Sequence, residues 1–132
     1  MEITVNEQAQ RFYLALDKWA DVVGHEIKVG KYRFCAIPLG NRINVSEVTT
    51  GSKVFNIPVD ISIHIITESK EGSIRFFYQI GESIKRLIEK QVDFDGMLEN
   101  MRKITFDRLG EMPPIENFDT AWIEADISEV LN

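Results

Sequence analysis

The sequence is poor in the side chains that build disulfides, redox centres and metal sites. It has one cysteine and two histidines among 132 residues, so no disulfide can form within the chain. The single Cys35 lies between Phe34 and Ala36 in a segment of strand character, which predicts a small buried apolar side chain rather than a nucleophile. The composition therefore predicts a fold that depends on its hydrophobic core.

Long apolar segments are absent as well. No run approaches the roughly 18–20 residues that cross a bilayer. The first seven residues lack the basic stretch and apolar core of a signal peptide. We therefore expect synthesis and folding in the cytoplasm and no membrane partner.

Motifs that carry chemistry are also missing. The eight glycines match neither GxGxxG nor a phosphate loop that ends in Gly-Lys-Ser or Gly-Lys-Thr. The pair Asp93 and Asp95 lacks the alternating oxygen donors of a calcium loop. The residues therefore predict no catalytic, cofactor or metal site, and we expect a protein that is not an enzyme.

The two histidines, His25 and His64, have no Cys or His at metal-ligand spacing. His64 shares one face of a predicted strand with Asp60 and Ser62, which allows a role in a pocket. A solvated surface histidine is the favoured interpretation, because a general base needs a partner that orients it.

The formal net charge is −6, from 15 basic and 21 acidic residues. A negative chain repels phosphate backbones unless its cations cluster. The densest cluster is Lys85, Arg86 and Lys90, with acidic neighbours. We expect no sequence-specific nucleic-acid binding, although a local basic face remains open.

Hydrophobic periodicity predicts a single α+β domain over residues 1–132. Asn6 is a predicted N-cap for an amphipathic helix over residues 7–23, and Gly24 its stop. Strands are predicted over 26–38, with a bulge or tight turn at Gly30, and over 42–48. A turn at residues 49–53 then makes a hairpin with a long alternating strand over 54–66.

The second half has one ambiguous segment. Residues 73–90 form an apolar stripe typical of a helix, but residues 73–80 also alternate like a strand; the helix is preferred. A short helical piece is predicted near Met97, and strands over 103–109 and 120–130. The predicted fold is an antiparallel or mixed sheet of about four to five strands, with an N-terminal helix and a central helix packed on it.

In order and period of elements, the chain resembles the tail terminator, or tail-to-head joining, proteins of long-tailed bacteriophages. The matching pieces are residues 7–23, 33–36 with 42–48, 54–66, 73–90, and 103–109 with 120–130. The likeness lies in layout and not in a residue motif. It implies a structural virion protein that forms a homo-oligomeric, hexameric ring, caps the tail tube and docks to the head connector.

A loop over residues 109–118 carries more apolar surface than a solvent loop needs. It is a candidate subunit interface, and packing on its own sheet is an equally good explanation. Its apolar residues are Met112, Pro113, Pro114, Ile115 and Phe118. The alternative function is a small acidic binding, inhibitor or immunity protein that acts on a basic partner.

Overall fold

The computed structural model of the chain describes residues 1–114. Six strands come first: β1 (Ile3–Val5), β2 (Gln10–Ala15), β3 (Trp19–Val29), β4 (Tyr32–Leu39), β5 (Arg42–Glu47) and β6 (Lys53–Pro58). Three helices follow: α1 (Ile61–Ile66), α2 (Lys70–Lys90) and α3 (Phe94–Leu109). None of these three helices has the length and apolar character that crossing a membrane requires.

The strands form one curled antiparallel sheet, a half-barrel. Its order is β1-β3-β4-β5-β6, and β2 pairs with the first half of β3. Tight turns join β3 to β4 and β4 to β5. Gly30 and Gly40 take positive φ angles of 60° and 64° in these turns, a conformation that other residues rarely adopt. The two edge strands of this order are β1, with three residues, and β6, with six residues.

A bend in β3 gives the sheet its curl. The pairing with β4 ends at His25 opposite Ala36, and from Gly24 backwards β3 pairs only with β2. A Cβ atom on Gly24 would lie 2.3 Å from the Ala36 carbonyl oxygen, so the two backbones can approach this closely only at glycine. The β2–β3 hairpin thus leaves β4 and crosses one face of the sheet.

Two hydrophobic cores result, one on each face. The larger core joins alternate residues of the sheet to α2 and α3, and includes Ile27, Phe34, Val45, Ile84 and Leu98. The smaller core lies beneath the β2–β3 hairpin and contains Phe12, Leu14, Cys35, Ile37 and Val48. Because strand side chains alternate between faces, β4 supplies both cores with neighbouring residues.

The predicted N-terminal helix over residues 7–23 is wrong. These residues form β2, a turn at 16–18 and the first half of β3, and Gly24 lies within β3. Asn6 caps no helix; its side-chain oxygen accepts a hydrogen bond from the Gln8 amide at 2.9 Å. Phe12 and Leu14 lie two residues apart on β2, and both are buried. This spacing is the two-residue period of a strand, which β-prone residues favour over the helical period.

The predicted long strand over 54–66 is also wrong in its second half. Strand β6 ends at Pro58, and the Asp60 carboxylate accepts from the Ile63 amide at 2.9 Å, which starts α1. A helix cap of this kind favours the helix more strongly than the alternating isoleucines favour a strand. The predicted strand over 103–109 is the end of α3, and the strand predicted over 120–130 lies outside the described residues.

Several local predictions are confirmed. Residues 73–90 are helical, within α2, and the chain turns tightly at Gly30. The predicted second and third strands form the β5–β6 hairpin. The predicted fold class is nevertheless wrong, because the sheet has six strands and begins the chain in place of a helix.

We predict that Gly24→Ala lowers the free energy of unfolding by about 3 kcal/mol, the upper end for overpacking a dense site. The new methyl group must push β3 away from the Ala36 carbonyl group. Urea unfolding measures the change, and Val23→Ala on the neighbouring exposed position is the control, expected to cost less than about 1 kcal/mol. Equal stability of both variants would contradict the role given to Gly24.

Candidate assembly surface

The turn between β5 and β6 fixes the start of the edge strand β6. The buried Glu47 carboxylate accepts hydrogen bonds from the amides of Thr49 at 2.9 Å and Thr50 at 3.1 Å. Arg102 of α3 donates to the Thr49 hydroxyl at 2.9 Å. Because these donors satisfy an otherwise isolated buried charge, the turn is held rigidly and β6 begins at a defined place.

Strand β6 forms the long edge of the sheet. Its inner side pairs with β5 from Lys53 to Pro58, and no strand among residues 1–114 pairs with its outer side. An edge of this kind presents unpaired backbone groups to another strand. Pro58 is the last residue of β6, and it limits pairing there because it lacks an amide donor.

An apolar patch lies directly after β6, on α1. Ile61, Ile65 and Ile66 are 79%, 61% and 41% exposed, and we call these three residues the isoleucine patch. Ile63 packs inward against the larger core. Helix α1 is held close to α2, since a Cβ on Gly72 would lie 1.8 Å from the Ile66 carbonyl oxygen. The patch is therefore presented on a fixed part of the fold.

A shallow groove runs between β6 and the second half of α2. Phe55 and Leu87 form its apolar part, and two cations, Arg86 and Lys90, line it; we call this the basic groove. Its complete lining is Phe55, Ser83, Arg86, Leu87, Lys90 and Gln91. Lys53 is exposed two residues before Phe55, but a bulge in β6 places Lys53 opposite Ser46 and Phe55 opposite Val45. The two side chains therefore lie on different faces of the sheet.

The basic groove contains unneutralised charge. Arg86 donates to the Ser83 hydroxyl at 3.2 Å. The ion pairs of residues 1–114 use Arg11, Lys31, Arg33 and Arg102, so neither groove cation forms an ion pair within the described chain. The groove therefore offers positive charge beside an apolar surface.

The histidines do not form a reactive pair in the described chain. His25 lines a cavity of about 370 Å³ beneath α1, together with Ile43, Ile63 and Phe77. Its Nδ1 atom lies 3.0 Å from the Asn6 carbonyl oxygen, and its ring lies 5.1 Å from that of Phe77. The described lining of this cavity contains no carboxylate to orient a base.

His64 lies on α1, exposed, and not on the strand that the sequence predicted. Asp60, its predicted neighbour on one strand face, uses its carboxylate to cap the helix. Over residues 1–114, no group of three or more His, Cys, Asp or Glu side chains is placed to hold a metal ion.

A polar cluster ties the start of α3 to the β3–β4 turn. The Asp95 carboxylate accepts from Lys31 at 3.1 Å and from the Tyr32 hydroxyl at 2.9 Å. These two donors lower the pKa of Asp95. Burial, followed by the Asp95 hydrogen bond, raises the pKa of Tyr32. The groups are fixed by one another, and the arrangement positions α3.

The predicted subunit interface is described only in part. Met112 and Pro113 are half-buried and Pro114 is exposed, while Ile115 and Phe118 lie outside the described residues. This loop leaves α3 beside the β2–β3 turn, where the Trp19 indole donates to the Gly110 carbonyl oxygen at 3.2 Å. Its role as a subunit contact stays a prediction.

Sequence reasoning missed the isoleucine patch because it placed residues 54–66 on one long strand, in which Ile61 and Ile65 share the apolar parity. The helix cap at Asp60 was the signal that could have revealed it. The basic cluster of Lys85, Arg86 and Lys90 was recognised, but its position beside β6 depends on the fold. Only Arg86 and Lys90 of this cluster line the groove.

We predict that Glu47→Ala lowers the free energy of unfolding by about 1–3 kcal/mol, because the amides of Thr49 and of buried Thr50 lose their acceptor. Thermal and urea unfolding measure the loss. Glu68→Ala, at an exposed position, is the control and should change stability by less than about 0.5 kcal/mol. A neutral Glu47 variant would contradict the role assigned to this carboxylate.

We also predict that Cys35 does not react with a thiol reagent in the folded protein. The residue is fully buried, and desolvation raises its pKa to about 12. Only about one thiol in ten thousand would then be ionised at pH 8. The control is the same reaction in denaturing urea, where labelling should be fast. Rapid labelling without denaturant would contradict the burial of Cys35.

Comparison with known proteins leaves this surface as the main guide to function. No protein-family model, no curated protein and no solved structure matches the chain.

Proposed function

We propose that the chain is a non-enzymatic structural protein that assembles with copies of itself. The specific form is the one that the resemblance to phage tail terminators implies: a ring at the end of a tail tube that docks to the head connector. This proposal places the working protein in the virion. The isoleucine patch carries it, since clustered exposed apolar side chains mark interaction sites on folded proteins.

The support for this proposal now differs from the layout that suggested it. Residues 7–23 form strands and residues 103–109 form helix, so the order of elements no longer favours the tail terminators. The proposal rests instead on surface features beside the sheet edge. An edge strand and a nearby apolar helix suit a heterologous contact, which closes a ring when the rotation between copies permits.

The second candidate is an acidic protein that binds a basic partner. It is favoured by the distribution of charge along the chain: the last eighteen residues contain five acidic residues and no basic one. Such a protein would act as a monomer that meets a different chain. Its oligomeric state therefore separates it from the ring.

We predict that the full-length protein forms oligomers in size-exclusion chromatography with light scattering, and six-fold rings in negative-stain images. Ile61→Ser combined with Ile65→Ser should shift the protein towards monomer, because the contact loses apolar area. At a concentration where both proteins are monomeric, the unfolding midpoint should stay the same, since both side chains are exposed in the single chain.

Ile104→Ser is the matched control for this experiment. Ile104 lies on α3 and is 58% exposed, so the substitution removes a comparable side chain away from α1. The control should assemble like the unmodified protein. A protein that stays monomeric at every concentration would contradict the ring and favour the second candidate.

A further inference from the structure

We propose that the cavity beneath α1 binds a small neutral molecule with an aromatic body and one hydroxyl or N–H group that donates a hydrogen bond. This inference goes beyond the proposed function, because a site for a small molecule does not depend on contacts between copies. The cavity has a volume of about 370 Å³, and small-molecule sites typically have volumes of about 300–1,000 Å³. Since water takes about 30 Å³ per molecule, the cavity suits a ligand of about a dozen non-hydrogen atoms.

The walls of the cavity are mainly apolar. They come from the sheet, from α1 and the residues just before it, and from the first half of α2. The apolar side chains at their centre are Ile43, Val59, Ile63, Phe76 and Phe77. Walls of this kind favour an apolar ligand body, because both surfaces are removed from water when the ligand binds.

The cavity has an entrance beside the turn between β4 and β5. Pro38 and Gly40 belong to its lining, and both are exposed. A Cβ atom on Gly40 would have no neighbour within 4 Å, so open space adjoins the turn. A ligand can therefore reach the cavity from solvent at this point.

His25 gives the cavity a hydrogen-bond acceptor. Its Nδ1 atom lies 3.0 Å from the Asn6 carbonyl oxygen, and a carbonyl oxygen only accepts, so Nδ1 carries the proton of the neutral ring. The other nitrogen, Nε2, is then an acceptor, and no group of residues 1–114 donates to it. Because Asn6 is not part of the cavity lining, Nε2 is the ring nitrogen that a ligand can meet. The ring lies 5.1 Å from that of Phe77, and the two form one aromatic wall.

The two hydroxyl groups of the lining have already used their protons. Thr67 donates to the Ile63 carbonyl oxygen at 2.8 Å, and Ser73 donates to the Thr67 carbonyl oxygen at 3.1 Å. Since a hydroxyl group has one proton, both present only acceptor lone pairs to a ligand. The described lining contains no Asp, Glu, Lys or Arg. Its side chains therefore select a neutral donor, because an anion would meet further acceptors and a cation would lose its hydration without a counter-charge.

Two isomeric probes test this selectivity. 4-Ethylphenol and 4-methylanisole have the same formula and a similar size, but only the phenol has a hydrogen-bond donor. Isothermal titration calorimetry on the full-length protein should show that 4-ethylphenol binds about tenfold more tightly, since a buried acceptor left unpaired costs about this factor. The anion 4-methylbenzoate, of similar shape, should not bind.

His25→Phe and His64→Phe are the matched variants. His25→Phe keeps a ring beside Phe77 and removes Nε2, so the two isomers should bind to it equally. His64 is exposed on α1 and does not line this cavity, so His64→Phe should keep the preference for the phenol. A measurement without any substitution is the nitrogen NMR resonance of His25 Nε2, which should shift with 4-ethylphenol and not with 4-methylanisole.

Each outcome supports or overturns the inference. If 4-ethylphenol does not bind to the unmodified protein, the site is overturned. Equal binding of the two isomers, or an unchanged preference in His25→Phe, would overturn Nε2 as the acceptor. If His25→Phe does not fold, the Nε2 resonance decides. None of these results depends on assembly, so a failure here leaves the proposed function standing, and a failure to assemble leaves the cavity standing.

Discussion

The close approach of β3 to β4 at Gly24 is the constraint on which the rest of the structure depends. Without a side chain at Gly24, the backbone passes against the Ala36 carbonyl group and β3 leaves the main sheet. The β2–β3 hairpin then covers the second face and creates the smaller core around Cys35. One missing Cβ thus converts an open sheet into a half-barrel with a core on each face.

The same bend determines where the candidate assembly surface lies. The hairpin carries Trp19 to Gly51, where a Cβ would lie 2.7 Å from the indole ring and φ is +69°. The Ala15 amide donates to the Gly51 carbonyl oxygen at 2.8 Å. The Trp19 ring also packs edge-on against Phe106 of α3, with centroids 5.7 Å apart. Hairpin, helix and turn are therefore joined immediately before β6, so its edge is held in place.

The sequence predicted the helix over residues 73–90, which lies within α2. Residues 73–80 also alternate like a strand, but the apolar stripe continues at the helical period to the end of the segment. Residues 9–23 satisfied a helical period, yet the hairpin buries Phe12 and Leu14 on one arm and packs Ala20 and Val22 on the other. The packing surface on β4 decides between the helical and the strand period for these residues. That surface exists only in the folded chain, so the sequence alone does not reveal it. The basic groove was unpredictable for the same reason, since α2 and β6 meet only in the folded chain.

The edge of β6 combines protection with selectivity. Lys53 and Pro58 stand at its two ends, and charged residues and prolines are the usual means by which edge strands avoid unspecific pairing. The cations of the neighbouring groove repel a basic strand and disfavour an apolar one, because burying an unpaired charge is costly. Features that keep this edge from aggregating therefore also restrict which strands can pair with it.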